Sequence, residues 1–233
     1  MPALCLAFAA LLQACSDGSP GGTAAQSGRP ESKPSPAAAP AQTLPKIVAF
    51  GDSLTAGYGL ASERESYPAL LQKKLDADGF KYEVINAGVS GDTSAGGLRR
   101  IDWALDAGDV RFVILELGAN DFLRGQPVAE TKKNLSQIIE RSKARGARVL
   151  LAGMYTTTNA GRDYQRQIHE AFQSLASEHD VPLIPFFLEG VAGESRLNLD
   201  DGVHPNVEGT RVVADNVYKH LKPMLEESRA GGK

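Results

Sequence analysis

A chain of 233 residues with 25 basic and 28 acidic side chains has a formal charge of −3, and its basic residues are scattered, which argues against nucleic acid as a partner. Its two cysteines, Cys5 and Cys15, both lie near the start, so the remainder can form no internal disulfide and offers no thiolate set for zinc.

From Met1, residues 4–12 form an uncharged apolar run, too short to span a bilayer but long enough for the apolar region of a secretory signal. Leu12-Gln13-Ala14-Cys15 follows. This box resembles a bacterial lipoprotein cleavage site, which implies a signal peptide over 1–14 and Cys15 as the lipidated first residue of an exported, membrane-anchored protein. Residues 16–45 shift to Ser, Gly, Pro, Ala and Gln. Such a segment buries too little apolar surface to offset its ordering entropy, so 15–45 is expected to be a disordered tether. A flexible coil of that length reaches about 30 Å on average.

Residues 46–227 read as one domain, followed by a flexible tail over 228–233. Apolar, β-branched runs at 46–50, 82–87, 112–117, 148–154 and 181–187 predict five strands. Between them, Tyr67, Leu70, Leu71 and Leu75, then Leu135, Ile138 and Ile139, then Ile168, Phe172 and Leu175 recur at helical spacing. Val213, Val217 and Leu221 mark a last helix. Strands alternating with helices predict an α/β fold, a three-layer α/β/α sandwich around a mostly parallel five-stranded sheet. Trp103 and Phe112 are expected in the core, Lys132, Lys133 and residues 141–148 on solvated helix faces, and the glycine-rich 90–97 in a turn flanking the substrate.

The first strand stops at Gly51-Asp52-Ser53-Leu54. In open α/β sheets the carboxyl ends of strands face the ligand crevice, so Ser53 is expected to be exposed to substrate. The alternative is a helix cap formed by Asp52 or Ser53. Far downstream, Asp200-Asp201-Gly202-Val203-His204-Pro205-Asn206 is turn-forming and carries the one histidine of four that lies outside a helical pattern. A serine hydroxyl needs a base to take its proton, and the base needs a third group to orient it. Asp201, three residues before His204, suits that role; Asp200 should point elsewhere.

The chain also resembles the SGNH (GDSL) hydrolases in four ordered blocks: Gly51-Asp52-Ser53-Leu54, Asn86-Ala87-Gly88, Gly118-Ala119-Asn120-Asp121 and Asp201-Gly202-Val203-His204-Pro205. The likeness extends over about 46–225 and is strongest to the bacterial lysophospholipase, acyl-CoA thioesterase and arylesterase branch, including Gly161-Arg162-Asp163-Tyr164. It implies a flavodoxin-like fold and a catalytic set of Ser53, Asp201 and His204. It further implies an oxyanion hole from the Ser53 and Gly88 amides and the Asn120 side chain, with no metal or organic cofactor. The expected function is serine esterase action on acyl esters, lysophospholipids or acyl-CoA. Carbohydrate O-deacetylation and a non-catalytic lipid- or partner-binding lipoprotein are the alternatives. Residues 90–97 and 154–162 are expected to shape the substrate site, and neither acyl length nor oligomeric state follows from the sequence.

Overall fold

The computed structural model describes residues 43–155 and 161–231. The signal, Cys15 and the tether up to residue 42 lie outside the described residues, as do 156–160 of the second substrate-flanking segment.

β1 (Lys46–Gly51), β2 (Glu83–Gly88), β3 (Val110–Glu116), β4 (Arg148–Ala152) and β5 (Leu183–Ile184) form one sheet in the order β2-β1-β3-β4-β5, with every pairing parallel. Continuous apolar strands such as Ile47-Val48-Ala49-Phe50 and Phe112-Val113-Ile114-Leu115 are buried because helices cover both faces. On one face α2 (Tyr67–Ala77) packs with α7 (Val207–Gly231). On the other, α5 (Val128–Ala144) lies between α3 (Ser94–Leu105) and α6 (Arg162–His179). Short α1 (Ser53–Ala56) and α4 (Ala119–Leu123) follow β1 and β3 directly.

The strand order matters for function. The chain leaves β1 to one side for β2 and returns to the other side for β3, so the carboxyl ends of β1 and β3 flank a topological switch point. α1 and α4 begin there.

Several elements differ from the sequence expectation. β5 spans only two residues, because Pro182 and Pro185 bracket Leu183-Ile184 and supply no N–H to a ladder. Half of the glycine-rich 90–97 is helix: α3 starts at Ser94, with Thr93 Oγ1 accepting from Gly96 N–H at 3.2 Å. Gly97 lets α3 sit against the sheet, since a Cβ there would lie 2.3 Å from Leu117 Cδ1. Phe112 is buried as expected, but Trp103 is 71 % exposed, because α3 turns Ile101, Ala104 and Leu105 inward instead. The expected tail is helical as far as Gly231.

Lys132 and Arg141 on α5 are tied to neighbouring helices. Lys132 Nζ reaches Ser174 Oγ and Glu178 Oε1, both at 2.7 Å, and Arg141 Nη1 reaches Asp102 Oδ2 at 3.0 Å. Exposed pairs of this kind contribute at most about 1 kcal/mol each.

Candidate active site

The Ser53 turn is built at the end of β1. Asp52 is the N-cap of α1, its Oδ1 accepting the Leu54 N–H at 3.0 Å, so the cap and the exposed serine coexist in adjacent residues. Gly57, at φ 81°, ends α1 after one turn. Ser53 is left at the mouth of a cavity instead of inside the sheet.

A separate loop supplies His204. The Leu199 N–H donates to the His204 carbonyl at 2.7 Å and the Gly202 N–H to the Leu199 carbonyl at 2.9 Å, with Gly202 at φ +68° closing the turn. Asn198 Nδ2 donates to the carbonyls of Val191 at 2.7 Å and Glu194 at 2.9 Å. Asn206 Oδ1 accepts the Glu208 and Gly209 N–H groups, each at 3.0 Å, and so opens α7 immediately after the histidine. Both asparagines were missed from the sequence, although His-Pro-Asn ahead of a helical pattern carries the cap signal.

The two parts meet at Ser53. His204 Nε2 lies 2.9 Å from Ser53 Oγ, and His204 Nδ1 lies 2.7 Å from Asp201 Oδ2. Asp201 Oδ1 also accepts the Val203 and His204 N–H groups, each at 2.9 Å. The His204 and Val203 amides, then the imidazole, hold the Asp201 carboxyl down to about 2 from its ordinary 3.8. A carboxylate held low stabilises the fold above its unfolded value and loses that contribution as pH falls toward 2, so Asp201 stays ionised throughout the neutral and mildly acidic range. Asp200 is exposed and makes none of these contacts. The ring of Tyr58 packs on His204 with centroids 4.6 Å apart, a contact that no motif in the chain signals.

Asn120 stands one helical residue into α4, after Gly118 at φ 119°. Its Nδ2 donates to Asp52 Oδ2 at 2.9 Å, which turns the amide toward the serine side of the cavity. Asp52 is buried, and that burial raises its carboxyl to about 6 against the opposing pull of the Leu54 amide, Asn120 and His204. Because this value lies above the ordinary one, the charge costs stability at neutral pH, and the cost is relieved as pH falls through 6.

Gly88 is not where the sequence expectation put it. Its N–H donates to Asn86 Oδ1 at 3.0 Å, and it does not line the cavity. The missing side chain admits α1 instead, since a Cβ would lie 2.2 Å from Ala56 N. The glycine beside α4 is Gly91, whose carbonyl accepts from Arg124 Nη2 at 3.0 Å.

The cavity among the described residues has a volume of about 490 Å³. Ser53, Asn120 and His204 bring polar atoms to one side, and Leu54, Leu123, Met154, Tyr155, Phe186, Leu188 and Val203 line the rest. Tyr155 is held by a ring contact with Phe186, centroids 4.6 Å apart, and by its hydroxyl, 3.0 Å from His169 Nδ1. Among the described residues no group of His, Cys, Asp or Glu side chains is arranged to hold a metal ion.

Residues 49–212, which include the serine turn, Asn120 and the histidine loop, match the GDSL-like Lipase/Acylhydrolase family. The chain belongs to this family. It is 40 % identical over 187 residues to esterase TesA of Pseudomonas aeruginosa, covering 80 % of this chain and 91 % of that protein. It is 40 % identical over 188 residues to thioesterase 1/protease 1/lysophospholipase L1 of Escherichia coli, covering 81 % and 87 %. A crystal structure of the psychrotrophic esterase EstA from Pseudoalteromonas sp., inhibited by monoethylphosphonate, superposes with a TM-score of 0.74 at 36 % identity, covering 78 % of this chain and 98 % of that one.

The packing of Gly88 yields a test. Gly88→Ala should lower the melting temperature measured by circular dichroism, because the added methyl must displace the α1 backbone. An unchanged melt would show that α1 lifts from β2 without cost.

Proposed function

We propose that Ser53, His204 and Asp201 hydrolyse carboxylic esters and thioesters of acyl chains through an acyl-enzyme intermediate. The observation that carries this is the unbroken line Ser53 Oγ to His204 Nε2 at 2.9 Å and His204 Nδ1 to Asp201 Oδ2 at 2.7 Å, opening on an apolar cavity. Membership of the acylhydrolase family and the esterase and thioesterase relatives support ester-bond hydrolysis as the activity.

His204 Nε2 takes the Ser53 proton as Oγ attacks the acyl carbonyl carbon, and Asp201 stabilises the imidazolium that results. Negative charge builds on the carbonyl oxygen. The Asn120 amide and the Ser53 N–H are the donors we assign to it. His204 then passes its proton to the departing oxygen or sulfur, and the acyl group stays on Ser53. Water, deprotonated by His204, attacks the acyl-enzyme and releases the acid. An apolar cavity of about 490 Å³ suits a chain longer than acetyl, which favours acyl esters over acetylated glycans.

Export and anchoring through Cys15 belong to the same proposal. The Leu-Gln-Ala-Cys box and the Pro- and Ser-rich stretch after it support a lipidated, tethered enzyme. No helix among the described residues is long and apolar enough to cross a membrane. Labelled palmitate should enter the expressed protein and be lost in Cys15→Ser. Parent protein without label would overturn the anchor and leave the esterase untouched.

Neighbouring aspartates test the catalytic assignment. On one short-chain ester, Ser53→Ala should abolish turnover, and Asp201→Asn should lower kcat severely, by up to about 10⁴ as for the corresponding loss in a serine protease. Asp200→Asn should change it only a few fold. A larger loss at Asp200 than at Asp201 would contradict the assignment.

A further inference from the structure

A second carboxyl group lies beneath the nucleophile turn, outside the proton relay. Glu116, the last residue of β3, is fully buried. Its Oε2 accepts the Asp52 N–H at 3.2 Å and lies 2.7 Å from Thr55 Oγ1, which in turn is 3.4 Å from the Tyr67 hydroxyl of α2. Its Oε1 is shut off from solvent and has no partner among the described residues. Gly51 stands opposite Glu116 in the parallel pairing of β1 and β3. A Cβ on Gly51 would lie 2.4 Å from Glu116 Oε2 and 2.0 Å from Thr55 Oγ1, so the strand end is glycine because this carboxyl fills its space.

The two buried carboxyl groups are treated differently by their surroundings. Asp52 has a donor on each oxygen: Leu54 N–H at 3.0 Å on one, Asn120 Nδ2 at 2.9 Å on the other. Glu116 has one oxygen without a partner among the described residues. Two adjacent buried carboxylates cannot both ionise cheaply, so the proton settles on the group that has an oxygen without a partner. Burial, and then the charge of Asp52, push Glu116 well above the ordinary carboxyl range.

We infer that Glu116 is a positioning residue for ester hydrolysis: as the neutral acid it clamps the Asp52 amide and the Thr55 hydroxyl, leaving Asp52 as the one buried charge that orients Asn120. This rests on the assignment of Ser53 as nucleophile and Asn120 as oxyanion donor. Glu116 touches no substrate and acts through Asp52. The groups that face this pair are Thr55 and Ser53 of the turn, Tyr67 from α2, Asn120 from α4 and His204 from its loop.

Glu116→Gln and Glu116→Ala test the inference, compared by kcat, KM, melting temperature and the acid limb of the pH profile. Glutamine keeps a carbonyl for the donors from Asp52 and Thr55 and cannot ionise. Its kcat should stay within about threefold of the parent, with the acid limb in place. Alanine removes the clamp. Its kcat should fall about tenfold or more, toward the 10²–10³ of losing an oxyanion donor outright, with KM changed little. Loss of more than about tenfold in a folded Glu116→Gln would show that the charge is needed. An acid limb moved to lower pH would show the same, because removing a charge beside Asp52 lowers the pH at which Asp52 protonates. A folded Glu116→Ala with parental kcat would remove the positioning role, and if that variant does not fold, the glutamine result decides. Fluorophosphonate labelling of Ser53 and the kcat of Asn120→Ala, measured alongside, isolate the underlying assignment. An unlabelled Ser53 or an unimpaired Asn120→Ala would overturn that assignment whatever Glu116 does.

Discussion

The buried Asp52 carboxylate is the constraint on which the rest of the site depends. Placing a charge where it is 1 % exposed is costly, and the cost is offset only by donors that must come to it. The Leu54 amide comes from α1 and fixes the turn that displays Ser53; the Asn120 amide comes from α4 and lies beside it. Residues 68 positions apart in the chain therefore meet at one carboxyl group. The strand order makes this possible, since β1 and β3 are neighbours at the switch point although β2 lies between them in sequence.

The histidine loop is organised independently and by local contacts. Asp201 and His204 are three residues apart, so a tight turn at Gly202 is enough to pair them, and Asn198 and Asn206 hold the turn against the start of α7. Gly209 lets α7 approach closely, because a Cβ there would lie 2.1 Å from the Leu197 carbonyl oxygen. The turn and the loop then join through the Ser53–His204 contact and the Tyr58 ring. With the histidine loop held by local hydrogen bonds and the serine turn by a buried cap, the two side chains already stand in contact.

What the sequence disclosed follows from the range of each interaction. Strand ends, the Asp201–His204 spacing and the helical periodicities are local, and so were legible. The short β5 escaped because its apolar run reads as a strand even where Pro182 and Pro185 remove donors. Glu116 was invisible inside Val113-Ile114-Leu115-Glu116-Leu117, since only the parallel pairing with Gly51 shows that its carboxyl lies under the turn. Gly88 misled for the same reason. A glycine after a strand is equally compatible with substrate approach and with helix packing, and only the position of Ala56 decides between them. Tyr58 and Trp103 show the converse, since an aromatic residue has no fixed preference between core, surface and a catalytic ring.

In the proposed mechanism one charge at Asp52 holds both the Ser53 turn and the Asn120 amide in place. A crystal structure of the phosphonylated enzyme tests it most directly, because the phosphonyl oxygen stands where the oxyanion would form. Phosphorus should be bonded to Ser53 Oγ, with that oxygen within about 3 Å of Asn120 Nδ2 while the same amide still donates to Asp52. An adduct on another residue, or Asn120 turned away from both the oxygen and Asp52, would contradict it.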